Sequence, residues 1–224
     1  MPKTENFNQH ADKYDNWFDV NKCVFQSELN ALRKAFPKSG DAIEVGIGSG
    51  IFALPLGIKE GVEPSEEMRK RAEEKGLKPI NGVAENLPYA DNSKNAVLMV
   101  TTICFVDDIH KSFQEIHRVL KDDGLFVIGF VDKNSPIGKS YLTNKDKSVF
   151  YKDAVFFGTE ELLKILNETG FKINNTYQTV FGKLDEITKV QDVLSGYGKG
   201  SFIVIKAQKK NILLSIIKKK CDDA

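Results

Sequence analysis

A carboxylate followed by three alternating glycines, Glu44-Val45-Gly46-Ile47-Gly48-Ser49-Gly50, is the stretch of this chain with the clearest chemical potential. The apolar residues ending at Val45 suit a short strand, and Ile51-Phe52-Ala53-Leu54 suit a short helix. Glycine is needed where backbone turns sharply or approaches a ligand with no Cβ in the way. The amides that open the following helix then face an anionic group. Two ligand classes use such a loop. A dinucleotide sets its pyrophosphate there and prefers the spacing G-x-G-x-x-G. Here the spacing is G-x-G-x-G, and Glu44, two residues before the first glycine, would repel a pyrophosphate. Beside the amino group of a methionine moiety the same acid is attractive, while the loop amides receive the methionine carboxylate. The loop therefore favours S-adenosylmethionine over a nicotinamide dinucleotide, with a bare tight turn as the inert alternative.

A second acid, Glu63, ends the next apolar stretch, nineteen residues after Glu44. An acid at that distance is placed to accept hydrogen bonds from both hydroxyls of a ribose. Met68, one turn into the helix that follows, is expected either beside an adenine or in the core. Tyr14 is expected to cover the cofactor, whereas Trp17, Phe18 and Phe156 are expected in the core. His110 and His117 fall off the apolar stripe of their helix and are expected at the surface.

These residues need a scaffold, and the periodicity supplies one. Phe7, Ala11, Tyr14 and Phe18 share one helix face, and Phe25, Leu29, Leu32 and Phe36 repeat that spacing up to a stop at Pro37-Lys38-Ser39-Gly40. Strands are then expected at residues 42–45, 61–63, 79–83, 96–100, 125–128, 171–180 and 201–207. Helices separate them, one starting at Ser65 and stopping near Gly76. Another carries Ile109, Phe113, Ile116 and Leu120 and closes at Asp122-Asp123-Gly124. A third is capped by Thr159 and stopped by Gly170. Such alternation implies an α/β, doubly wound, mostly parallel sheet of seven strands, which binds ligands at the carboxyl ends of its strands.

Composition sets outer limits. The 224 residues suit one domain, and 32 basic against 31 acidic residues imply no broad nucleic-acid or membrane footprint. Three separated cysteines offer neither metal-ligand spacing nor a disulfide framework. The polar start, Met1-Pro2-Lys3, is no secretory leader, and no apolar run nears the ~20 residues of a membrane span. A cytoplasmic enzyme without metal is expected.

The chain resembles the class I S-adenosylmethionine-dependent methyltransferases, and is similar to the group acting in ubiquinone and menaquinone biosynthesis. The segments that carry the resemblance are Glu44 to Gly50, Gly61-Val62-Glu63-Pro64-Ser65, Gly82-Val83-Ala84-Glu85-Asn86-Leu87-Pro88 and Arg118-Val119-Leu120-Lys121-Asp122-Asp123-Gly124. The resemblance implies a Rossmann-like methyltransferase fold whose last strand, residues 201–207, runs antiparallel. It gives Glu44, Gly46, Gly48 and Gly50 to the methionine end and Glu63 to the ribose, with Pro64 and Ser65 completing that contact. It gives Ala84 and Glu85 to the adenine edge, and Thr101 to the sulfonium side. Val83 stands where the family commonly has an aspartate for the adenine amine, so Glu85 or a backbone carbonyl would have to substitute.

The expected organisation is one methyltransferase domain over residues 1–208, with an N-terminal helical cap at 1–40 and an inserted lid at 131–158. A tail follows at 209–224. Its apolar patch before Lys218-Lys219-Lys220 suits a docked or frayed end better than a membrane anchor. Methyl transfer from a sulfonium relies on positioning and desolvation, so no catalytic base stands out. No Asn-Pro-Pro-Tyr segment or Pro-Cys pair marks a macromolecular target, and a small-molecule acceptor is expected. The alternatives are a non-catalytic S-adenosylmethionine-binding regulator and a nicotinamide-dependent oxidoreductase.

Overall fold

A computed structural model describes residues 3–36 and 41–210. The expected helix stop at residues 37–40 and all but the first two residues of the expected tail lie outside the described residues. The strands are β1 (Ala42–Val45), β2 (Glu60–Val62), β3 (Lys78–Ile80), β4 (Lys94–Val100), β5 (Leu120–Val131), β6 (Phe171–Thr179), β7 (Leu194–Ser195) and β8 (Phe202–Lys209). They form one sheet in the order β3-β2-β1-β4-β5-β8-β6-β7. Neighbours from β3 to β5 pair in parallel, and β8 runs antiparallel to both β5 and β6. The sheet has eight strands rather than the seven expected. The extra strand, β7, is a two-residue edge pairing to Tyr177 and Gln178, too short to leave a sequence pattern.

Among the described residues eight α-helices accompany the sheet: α1 (Glu5–Gln9), α2 (Ala11–Val20), α3 (Lys22–Ala35), α4 (Ala53–Leu56), α5 (Glu66–Glu74), α6 (Ile109–Val119), α7 (Pro136–Thr143) and α8 (Thr159–Glu168). From Ala96 to Val100 β4 is apolar and buried, because both of its faces are covered there. Val97 and Met99 join Phe113, Ile116, Leu162 and Leu166 on the α6/α8 side. Leu98 and Val100 join Ala31, Leu32, Ala53 and Ala72 on the α3/α4/α5 side.

Several local expectations change. The first apolar stripe breaks at His10 (φ −130°, ψ 28°), giving α1 and α2 instead of one helix. Gly158, not Thr159, is the N-cap of α8; Thr159 sits in the first turn and donates its hydroxyl to the Asp132 carboxylate. β3 stops at Ile80, three residues before the expected end, and Val83 instead bridges to Asn86 in a turn. His117 is half-buried rather than a surface residue. Its ring packs edge-on against Phe171 at 5.4 Å, and its Nε2 has no hydrogen-bond partner among the described residues. β8 runs to Lys209, one residue into the expected tail.

Candidate active site

The sheet order reverses between β1 and β4, and a cavity of about 710 Å³ opens there at the carboxyl ends of the strands. Gly46 and Gly48 follow β1 with φ of 73° and 56°, a region that L side chains rarely adopt. A Cβ on Gly46 would also stand 2.3 Å from Thr102 Oγ1. The turn is closed by the amides of Gly46 and Ile47 donating to Val62 O at 2.8 and 3.1 Å. Gly50 is also left-handed, but a Cβ there would meet Leu77 Cδ1 at 2.2 Å, so its bareness serves packing.

Glu63 is fixed from two sides. Its Oε2 accepts from the Gly48 amide at 2.9 Å and its Oε1 from the Ser65 amide at 2.8 Å. Burial raises its carboxyl, while those two amides and Arg69 pull it back down. Ser65 is the N-cap of α5, accepting from Met68 N, and donates its hydroxyl to Asn8 of α1 at 2.7 Å. The N-terminal helices are latched to the β1 loop and to α5 at further points. Ser49 donates to Asp15, and Arg71 of α5 pairs with Asp12 at 2.8 Å and Asp15 at 3.4 Å.

Glu44 is 1% exposed, and its Oε2 has no hydrogen-bond partner among the described residues. Burial and then the Glu63 charge hold its carboxyl well above the usual range, opposed by the Ala53 amide. A buried orphan carboxylate oxygen calls for a missing partner, and an ammonium group is the partner its charge would favour. The phenol of Tyr14 lies near it. Burial, followed by the Glu44 charge, pushes that phenol up, against a Thr101 side-chain hydrogen bond that pulls it down. Thr101 itself has φ 49°, rare for a β-branched residue, and is pinned by its amide to Gly129 O at 2.8 Å.

The cavity brings Tyr14, Gly46, Gly48, Glu63, Pro64, Met68, Ala84, Glu85 and Thr101 into one wall. Glu44, Gly50 and Ser65 stand behind it as supports. Glu85 does not offer its carboxylate freely in place of Val83: its Oε1 accepts from the amides of Asp107 and Asp108 at 2.7 and 3.1 Å.

The opposite wall comes from α1, α2, α3 and residues 131–158. Phe7 packs on Phe105 and Phe150 at 5.1 and 5.3 Å, and Tyr141 stacks on Tyr151 at 5.0 Å. Trp17, expected in the core, is half-buried and lines the cavity, while Phe18 is buried. Phe156 packs behind Tyr151 at 5.5 Å. The 131–158 segment is tied at its neck, where Asp132 accepts from the Asn134 and Thr159 amides and Lys133 N donates to Phe157 O.

One cavity residue escaped sequence reasoning. Glu28 of α3 is 5% exposed and lines this wall. Burial alone pushes its carboxyl up to about 8. The signal was available: an acid four residues from both Val24 and Leu32 sits on the helix face that should be apolar.

Comparison with known proteins now decides the family. A family model described as a methyltransferase domain matches residues 43–128. A SAM-dependent methyltransferase from Thermotoga maritima, described as a possible histamine N-methyltransferase, is 44% identical with a TM-score of 0.89, the match covering 92% of this chain and 99% of that one. The chain belongs to the class I S-adenosylmethionine-dependent methyltransferases. An uncharacterized protein of Methanocaldococcus jannaschii is 42% identical over 91% of this chain and 98% of its own length. A ubiquinone/menaquinone biosynthesis C-methyltransferase of Rickettsia akari is 32% identical over 54% of this chain and 57% of its own length. The cofactor of this methyltransferase is S-adenosylmethionine, and the orphan Glu44 oxygen beside the glycine turn suits its methionine ammonium. No group of residues that could hold a metal, and no helix long and apolar enough to cross a membrane, occurs among the described residues.

Proposed function

We propose that this methyltransferase acts on a small-molecule acceptor held between the cofactor wall and the aromatic wall of the cavity described above. The observation that carries this reading is the cavity itself. At about 710 Å³ it lies in the upper part of the ~300–1,000 Å³ range of small-ligand sites, leaving room for an acceptor beside a cofactor. S-adenosylmethionine supplies a methyl group already activated on a sulfonium.

The residues divide the remaining work. The Gly46 and Gly48 turn, backed by Gly50, receives the methionine carboxylate, and Glu44 takes its ammonium. Glu63, oriented by the Gly48 and Ser65 amides, accepts from the ribose hydroxyls, with Pro64 and Met68 beside it. The backbone of Ala84 and Glu85 borders the adenine. Thr101 and Tyr14 border the sulfonium. The cap formed by α1, α2 and α3 and the lid over 131–158 exclude water from the transfer, which favours the displacement.

Calorimetry with S-adenosylhomocysteine tests the cofactor half. A panel of small acceptors with deuteromethyl-labelled cofactor, read by mass spectrometry, tests the acceptor half. Binding of the thioether together with label transfer to at least one panel member is expected. Failure to bind it, or label transfer only to protein or nucleic acid, would refute the proposal.

A further inference from the structure

Glu28 is a charged residue on the core-facing side of an amphipathic helix, flanked by Val24, Ser27, Leu29, Ala31 and Leu32, all buried. Among the described residues it makes no side-chain hydrogen bond and no ion pair. A carboxyl group in that position is costly unless something satisfies it, and the cavity that Glu28 lines lets a partner reach it. Tyr141 and Tyr151 face it, and its charge helps to raise both phenols, after burial in each case. Stacked tyrosines beside a buried carboxylate are suited to a cation, which aromatic faces attract and a carboxylate neutralises.

We propose that the acceptor is a small organic amine entering as its ammonium ion, and that Glu28 recognises this ion and takes its proton. The proposal rests on the small-molecule reading above. An ammonium cannot attack, because its nitrogen has no free electron pair. In the cavity one N–H bond breaks and the proton passes to a Glu28 carboxylate oxygen. The freed pair forms the N–CH₃ bond while the C–S bond breaks, its electrons staying on sulfur. The product leaves as a methylated ammonium, and Glu28 returns its proton to solvent. A phenol losing its proton to the same group would become an anion among tyrosines. The cavity's lysines, among them the exposed Lys13 and Lys147, leave the titration of Glu28 untouched.

The pH profile carries the signature. Around Glu28 the titratable groups are Tyr141 on α7, Tyr151 beyond it and Tyr14 on α2, all raised by burial; Glu44 and Glu63 lie on the cofactor side. Burial alone sets Glu28 near 8, so kcat/KM for an amine should rise with pH through that value. In Glu28→Gln that limb should move up to the titration of the free amine.

The experiment compares wild type and Glu28→Gln on phenethylamine, tryptamine and cadaverine against phenethyl alcohol, phenol and benzoate. Wild type is expected to methylate at least one amine and none of the other compounds. Glu28→Gln should raise KM for that amine about tenfold or more, the loss of a charge-assisted hydrogen bond, with Glu28→Asp recovering part of it. S-adenosylhomocysteine affinity should be equal in all three proteins. A wild type that accepts no amine overturns the proposal, as does an unchanged amine KM in Glu28→Gln. Loss of thioether binding in that variant also overturns it, by showing a purely structural role. Loss of thioether binding in the wild type would instead remove the underlying reading.

Discussion

Replacing Glu28 with glutamine should stabilise the protein in a way that depends on pH. In the unfolded chain this carboxyl titrates near 4.5; in the native protein burial holds it up to about 8. Below pH 4.5 both states carry the proton and the group favours neither. Between 4.5 and 8 the unfolded state has released the proton and the native state has kept it, so wild-type stability falls as pH rises. Above 8 both have lost it and the penalty is constant. The slope is ~1.4 kcal/mol per pH unit, and over this window of three and a half units it amounts to about 5 kcal/mol. Glutamine has nearly the same shape and does not titrate, so it removes this loss. Glu44 and Glu63 are raised by burial as well, but they are present in both proteins and cancel in the difference. Urea unfolding of both proteins at pH 5 to 9 measures it. The variant should gain on wild type by several kcal/mol between the ends of that range, most of it below pH 8. Parallel curves, with a difference flat to within ~1 kcal/mol, would show that Glu28 is solvated and would refute the reasoning.

Three other outcomes follow from the cofactor side. Glu63→Ala removes the acceptor for the Gly48 and Ser65 amides, so it should destabilise the fold by about 2 kcal/mol as well as weaken S-adenosylhomocysteine binding. Glu63→Gln, which keeps one carbonyl, should weaken binding with a smaller change in melting temperature; equal affinity to wild type would leave Glu63 as a structural acid. Burial and the Glu63 charge raise the Glu44 carboxyl well above its ordinary range, and an arriving ammonium should pull it back down. Calorimetry of S-adenosylhomocysteine near pH 7 should then show proton release as a buffer-dependent enthalpy, and identical enthalpies in phosphate and Tris would contradict this. Gly46→Ala forces a Cβ into Thr102 at a left-handed position and should lower stability by ~1–3 kcal/mol while abolishing tight thioether binding, checked by thermal melts with and without ligand.

The sequence disclosed what backbone chemistry and periodicity control. Strands β1, β2, β4, β5 and β8 follow from apolar runs ended by turn residues. The glycine turn at Gly46 to Gly50 follows from spacing alone. What stayed hidden depends on contacts between distant segments. β7 is held only by its pairing with β6. The left-handed turn at Thr101 defies local preference and exists because Gly129 O anchors it. The Glu85 carboxylate looked free to stand in for the aspartate missing at Val83, but the amides of Asp107 and Asp108 hold one of its oxygens. Glu28 was legible as a break in the α3 stripe, but only the cavity beyond it gives that break a meaning.

The two walls of the cavity are built by different physics, and this bears on how the acceptor can vary. The cofactor wall consists of left-handed glycine turns, with no room for a Cβ at Gly46, and of Glu63, whose two oxygens both hold backbone amides. A substitution there disturbs ligand binding and fold together. The opposite wall, which we propose faces the acceptor, consists of side chains projecting from α1, α2, α3 and residues 131–158. Those elements are attached through discrete latches: Asn8 to Ser65, Asp15 to Ser49, and Asp132 to Thr159. Phe150 packs on Phe7 and Tyr14, and Tyr141 on Tyr151, so exchanging one of these rings reshapes the chamber. Specificity for the acceptor can therefore be rewritten on this wall while methyl donation is left intact. Glu28 is the exception. It belongs to the acceptor wall by position but to the sheet-packed face of α3 by burial, so a change at this one residue should register in both acceptor affinity and stability.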